Sequence, residues 1–142
     1  IEPTLLAVSD PDHDPLMQEE LFGPLLPVLT VPDLDAALER VRQRSAPLAL
    51  YLFGGDRRAR QRLLAATQSG SVVFNDVVLQ GGLTPLPFGG VGDSGMGRYH
   101  GLAGFHTFSY QRSVLSRSFR LDLPFRYPPY TIPTGWLERL LG

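Results

Sequence analysis

The chain is 142 residues long, with 43% hydrophobic and 19% charged residues and a formal net charge of −1. That balance supports a packed fold and excludes the basic excess of a nucleic-acid binder and the acidic excess of a solvating tail. The absence of cysteine excludes disulfides, thiolate nucleophiles and cysteine-ligated metals, and no apolar run reaches the ~20 residues needed to span a bilayer.

In chain order, the first apolar run is 5–9, followed by the turn-rich stretch Asp10-Pro11-Asp12-His13-Asp14-Pro15. The chain opens at Ile1 rather than Met, inside what reads as ordered structure, and this predicts further chain upstream. Residues 16–20 read as one helical turn. Residues 25–31 read as a buried strand that Pro27 pushes toward an edge or a bulge.

The clearest helix follows. Asp33 is its N-cap, and Asp35 puts a negative charge in its first turn. Leu34, Ala37, Leu38 and Val41 share one face, and Pro47 stops it. Residues 48–53 read as a strand buried on both faces and closed by Gly54-Gly55. Asp56 caps a second helix to about Thr67, with Ala59, Leu63 and Ala66 on its inner face, although Arg57 and Arg58 oppose the dipole there. Gly70 is the expected C-cap, and 71–75 is the next strand. Strand, helix, strand, helix, strand is the pattern of an α/β fold with a parallel sheet and right-handed crossovers.

Residues 80–101 then form a long glycine-dense loop, with a short helix over 102–108. Residues 112–119 alternate polar and apolar and read as a half-exposed strand. The proline-rich tail 121–135 ends in a last turn, Trp136-Leu137-Glu138-Arg139-Leu140-Leu141.

Gly90, Gly92 and Gly95 spell G-x-G-x-x-G, but a dinucleotide fingerprint needs a strand before it and a helix opening at it. Pro85, Pro87, Gly97 and Gly101 break that context, and no Gly-Lys-Ser/Thr follows to make a P-loop. The glycines also suit a long loop that needs positive φ and close backbone approach. Loops of this length are usually functional. The spacing of His100 and His106 fits no zinc pattern, so both read as structural.

Taken together, certain motifs resemble one family. Glu19-Glu20-Leu21-Phe22-Gly23-Pro24 resembles the E-x-F-G-P signature of aldehyde dehydrogenases. The run from Pro87 to Gly97 with Tyr99-His100-Gly101 is similar to the glycine-rich C-terminal segment of their class 3 branch. Phe105, Thr107-Phe108-Ser109, Arg112 and the tail Arg126-Tyr127-Pro128-Pro129 extend the resemblance over essentially the whole chain.

The resemblance implies that residues 1–110 are the C-terminal half of the catalytic domain, that 111–118 form an oligomerisation strand and that 119–142 are a tail packed on a homodimer. It implies an NAD- or NADP-dependent oxidation of an aldehyde to an acid. In that reaction a cysteine thiolate attacks the carbonyl, two donors hold the oxyanion and a Glu activates water. All three parts lie upstream of this segment in the family, so the chain alone is expected to be inactive. Glu20 matches the glutamate that accepts from the nicotinamide ribose hydroxyls, and Phe22 the aromatic beside the nicotinamide. From the residues alone, Glu20 reads as solvated and Phe22 as core.

Asn75, Gln80 and Phe88 match the substrate-entry wall. Class 3 members commonly carry His-Phe where this chain has Gln80-Gly81, so the pocket mouth is expected to differ in width. Phe88 reads equally as an apolar wall or as a plug beneath the loop. A non-catalytic partner that pairs with full-length subunits through 112–119 is the alternative reading. The end of the chain shows neither a membrane anchor nor a prenylation box, which leads to the expectation of a cytoplasmic protein.

Overall fold

The computed structural model describes residues 1–120, 122, 124–130 and 133–141. The chain divides into two compact units, Ile1–Ser109 and Tyr110–Gly142.

The first unit is α/β. Strand β1 (Thr4–Ala7) pairs in parallel with β2 (Leu25–Val28), and β3 (Ala49–Leu52) pairs in parallel with β4 (Ser71–Phe74). Helix α1 (Leu34–Arg42) leads from β2 to β3, and α2 (Arg57–Ala66) leads from β3 to β4. Both helices begin as the sequence demands. The carboxylates of Asp33 and Asp56 accept from the N–H groups of Ala36 and Ala59 at 2.9 and 2.7 Å, satisfying donors that the first turn leaves free. Arg57 and Arg58 do not prevent α2 from starting, because the cap and the apolar face around buried Leu63 outweigh a dipole effect of about 0.3–1 kcal/mol.

Three sequence expectations change. The strands form two two-stranded ladders in place of one continuous sheet, since β2 and β3 are not bonded to each other. Neither β2 nor β3 is buried, and Leu48 and Phe53 beside β3 are exposed. A parallel strand is buried only when both faces are covered, and the described residues cover one at most. Pro27 does lie in an edge strand: among the described residues β2 has β1 alone as its ladder partner, which accommodates the missing N–H. Gly70 is not a C-cap, because α2 already ends at Thr67. Its function is proximity: a Cβ there would fall 2.3 Å from the Gly89 carbonyl oxygen and 2.4 Å from that of Leu48.

The buried apolar core among the described residues is Val8, Leu38 and Leu63, and no described side chain is fully enclosed. Helix α3 (Gly101–Thr107) follows the glycine-rich loop. In the second unit, residues 111–118 enter no strand ladder, and Val114, Leu115 and Phe119 are exposed. A short 3-10 turn spans Pro124–Arg126, and helix α4 covers Thr134–Leu141. Arg117 and Asp122 form an ion pair at 3.2 Å.

Candidate functional site

The helical turn expected over 16–20 is a 3-10 turn, Pro15–Met17, capped by the Asp14 carboxylate. It stops before Glu20, which sits in irregular backbone. Glu20 is exposed and has no hydrogen bond or ion pair among the described residues. Its groove, about 670 Å³, is also lined by Met17, Gln18, Arg44, Ser45, Asp93 and Ser94. Phe22 is not core: it is 92% exposed, with φ +43°. A left-handed aromatic residue stores of order 1–3 kcal/mol, and sequence reasoning offered no signal for it.

Asn75 lies at the C-terminal ends of β3 and β4, whereas Gln80 reaches Tyr51 within β3 and Ser71 at the start of β4, with Phe88 beside Gly81. Asn75 has φ +60°, which Asn tolerates. Its side-chain oxygen accepts from the Gly54 N–H at 2.7 Å, and its own N–H donates to the Leu52 carbonyl at 2.9 Å. It thereby ties the turn after β3 to the end of β4. Val78, two residues before Gln80, is also left-handed, at φ +63°. For a β-branched residue that is a true outlier.

Gln80 is buried. Its Nε2 donates to the Tyr51 hydroxyl at 2.9 Å, with the Ser71 hydroxyl at 3.5 Å, while its Oε1 has no partner among the described residues. Gly81 lies against the Phe88 ring: a Cβ there would sit 3.5 Å from Cε2. Phe88 is half-buried and packs edge-to-face on Tyr99, centroids 5.5 Å apart.

Backbone contacts build the glycine-rich loop. The Phe88 and Tyr99 N–H groups each donate to the other's carbonyl, at 3.0 and 2.9 Å, closing an antiparallel bridge. Inside it, the Arg98 guanidinium donates to the carbonyls of Gly89 and Gly90. The Ser94 hydroxyl staples Val91 through both its N–H and its carbonyl. The segment Gly92–Ser94 is a three-residue 3-10 turn, and no strand precedes it. The G-x-G-x-x-G letters therefore lack the strand-to-helix geometry of a pyrophosphate cradle. A Cβ on Gly90 would lie 1.9 Å from the Ser94 carbonyl oxygen, so this glycine serves packing.

The His100 Nδ1 lies 3.0 Å from the Leu86 carbonyl, and its ring packs on Tyr99. Among the described residues no three His, Cys, Asp or Glu side chains gather as a metal site would require, and no helix is long and apolar enough to cross a membrane.

The aldehyde dehydrogenase family model matches residues 1–114. The chain is 50% identical to aldehyde dehydrogenase family 3 member B1 of Rattus norvegicus, covering 92% of this chain and 28% of that protein. It is 48% identical to the dimeric NADP-preferring aldehyde dehydrogenase of Mus musculus, covering 91% and 29%. The substrate-bound structure of Staphylococcus aureus AldH superposes with a TM-score of 0.78 at 43% identity, covering 100% of this chain and 31% of that one. The chain belongs to the aldehyde dehydrogenase family and resembles its class 3 members. It spans less than a third of each of these three relatives.

Proposed function

We propose that this chain is the part of an NAD(P)-dependent aldehyde dehydrogenase that carries the nicotinamide-ribose contact, one wall of the substrate pocket and the dimer strand. The observation that carries this reading is Glu20: an exposed carboxylate with no internal partner, on a groove, within the matched family segment. An ionised carboxylate is acceptor-only and suits the paired hydroxyls of a ribose, so the residues present fit the cofactor. NAD(P), when bound, supplies the hydride acceptor for aldehyde oxidation. Glu20 accepts from the ribose hydroxyls and thereby fixes the ring's orientation, and Phe22 offers its exposed face beside it.

Phe88 forms the apolar part of the substrate wall. Asn75 and Gln80 act with it, Asn75 by tying the turn after β3 to the end of β4 and Gln80 by bonding Tyr51 of β3. The chain has no cysteine, so the nucleophile must come from elsewhere in the enzyme, and the 142 residues alone are inactive. Glu20→Gln in the complete enzyme tests the reading. It should raise the KM for NAD(P) about tenfold, and an unchanged KM would refute the cofactor role.

A second reading has its own observation. Residues 111–118 join no ladder while Val114 and Leu115 are exposed, the condition of an edge awaiting another strand. On that reading the chain is a non-catalytic partner that pairs with full-length subunits by strand addition. Capture of a full-length relative by the 142-residue chain would support it.

A further inference from the structure

Glu20 owes its place to neither a helix nor a strand, yet its position must be defined to better than an ångström if it is to orient a ribose. Residues 18–24 contain no regular element of their own. They are held at both ends: the Pro24 carbonyl accepts from the Thr4 N–H at 2.9 Å, and the turn before them is gripped by side chains in and just after α1. The Arg44 guanidinium donates from Nη1 to the Met17 carbonyl at 2.6 Å and from Nη2 to the Pro11 carbonyl at 2.7 Å. Arg40 pairs with the Asp12 carboxylate, and the Gln18 side chain donates to the Asp12 carbonyl at 2.9 Å. Arg44 lies two residues beyond α1, and the Met17 carbonyl is the last backbone group it holds before the chain enters the irregular stretch bearing Glu20.

Arg44 is itself well placed. Its N–H donates to the Val41 carbonyl at 3.3 Å at the helix end, and the adjacent Ser45 hydroxyl donates to Asp93 of the glycine-rich loop. Arg44, Ser45 and Asp93 line the groove that holds Glu20.

We infer that Arg44 is the positioning residue for Glu20: its two-pronged grip on Met17 and Pro11 sets where the ribose-binding carboxylate stands. A planar guanidinium can hold two carbonyls at once, in fixed relative positions. A lysine ammonium offers no such fork and would grip one of them well. The inference rests on the cofactor reading given above, and the test separates the two.

The complete enzyme is prepared as Arg44→Ala, Arg44→Lys, Glu20→Gln and Arg44→Ala/Glu20→Gln, and the KM for NAD(P), the kcat and the Tm are measured for each. Arg44→Ala should raise the cofactor KM about fivefold to tenfold, with the aldehyde KM within about twofold of the parent. Arg44→Lys should fall between the two. In the Glu20→Gln background, Arg44→Ala should change the cofactor KM by less than about twofold, because residues that act through one contact are not additive.

If Glu20→Gln raises the cofactor KM and Arg44→Ala either has no effect on it or multiplies it in full, the positioning role is wrong and the cofactor reading stands. If Glu20→Gln has no effect, the cofactor reading fails and takes this inference with it. Should Arg44→Ala not fold, the same comparison made with Arg44→Lys alone and in the double variant decides the matter by the same rule.

Discussion

The Ser45 hydroxyl donates to the Asp93 carboxylate across 48 positions of sequence, joining the end of α1 to the glycine-rich loop. Both side chains are exposed, so water can replace the bond when either is removed. Ser45→Ala should therefore cost no more than about 0.5–1.5 kcal/mol in the complete enzyme, read as the shift of the urea midpoint. A larger loss would mean that the pair also carries packing.

Two glycines of one loop should respond very differently to alanine. At Gly90 the added Cβ meets the Ser94 carbonyl at 1.9 Å, whereas at Gly92 nothing lies within 4 Å and only φ +62° opposes the change. Gly90→Ala should cost about 1–3 kcal/mol or more, through backbone displacement. Gly92→Ala should cost about 1–2 kcal/mol for the left-handed conformation alone. Thermal melts of the two variants in the complete enzyme would check the order, and the reverse order would disprove the loop geometry.

The part-buried bond between Gln80 and Tyr51 calls for a double-mutant cycle. Tyr51→Phe removes the acceptor of the Gln80 Nε2, leaving only the 3.5 Å contact with Ser71. A buried donor left without a good partner costs about 1–3 kcal/mol, whereas removing both partners is cheaper. Gln80→Met combined with Tyr51→Phe should thus be less destabilising than the sum of the single changes. Simple additivity in denaturant titrations would show that the bond contributes nothing.

The 142-residue chain on its own should bind a hydrophobic dye and associate. Its buried apolar residues among those described are three, and Phe53, Leu102 and Phe105 are exposed in the first unit. Exposed apolar surface of that kind is an association site. Light scattering and dye fluorescence measure this directly, and a sharp melt of a monodisperse monomer would contradict it.

Val114→Pro addresses the proposed dimer strand. Proline cannot donate to a ladder, so capture of a full-length relative by this chain should be lost. The control Arg120→Ala, placed beyond the strand, should leave capture intact. Equal capture by both variants would remove strand addition as the mechanism.

Much of the fold could be read from residues whose effect is local. Asp33 and Asp56 announce α1 and α2 because a cap needs only the next three residues. The runs at 48–53 and 71–75 announce strands because apolar clustering is local as well. Burial could not be read this way. Residues 48–53 look buried on both faces, but Leu48 and Phe53 are exposed, since burial depends on what covers a strand and not on its own letters. The burial of Gln80 could not be read from its own neighbours either, because Tyr51 and Ser71 receive it from β3 and β4. The E-x-F-G-P letters pointed to Glu20 and Phe22 through resemblance. The left-handed backbone at Phe22 and the grip of Arg44 on Met17 are tertiary facts with no local signature.

The bridge between Phe88 and Tyr99 has a kinetic consequence. Only the loop 89–98 separates its two halves, and a segment of that length closes in about 10–100 ns. The ladders β1–β2 and β3–β4 join ends that lie farther apart, and each doubling of the span adds about 0.6 kcal/mol of closure entropy. The glycine loop can thus assemble as its own small nucleus, ahead of the strands it later abuts. A change at Phe88 or Tyr99 that loosens the bridge should then slow refolding more than it speeds unfolding.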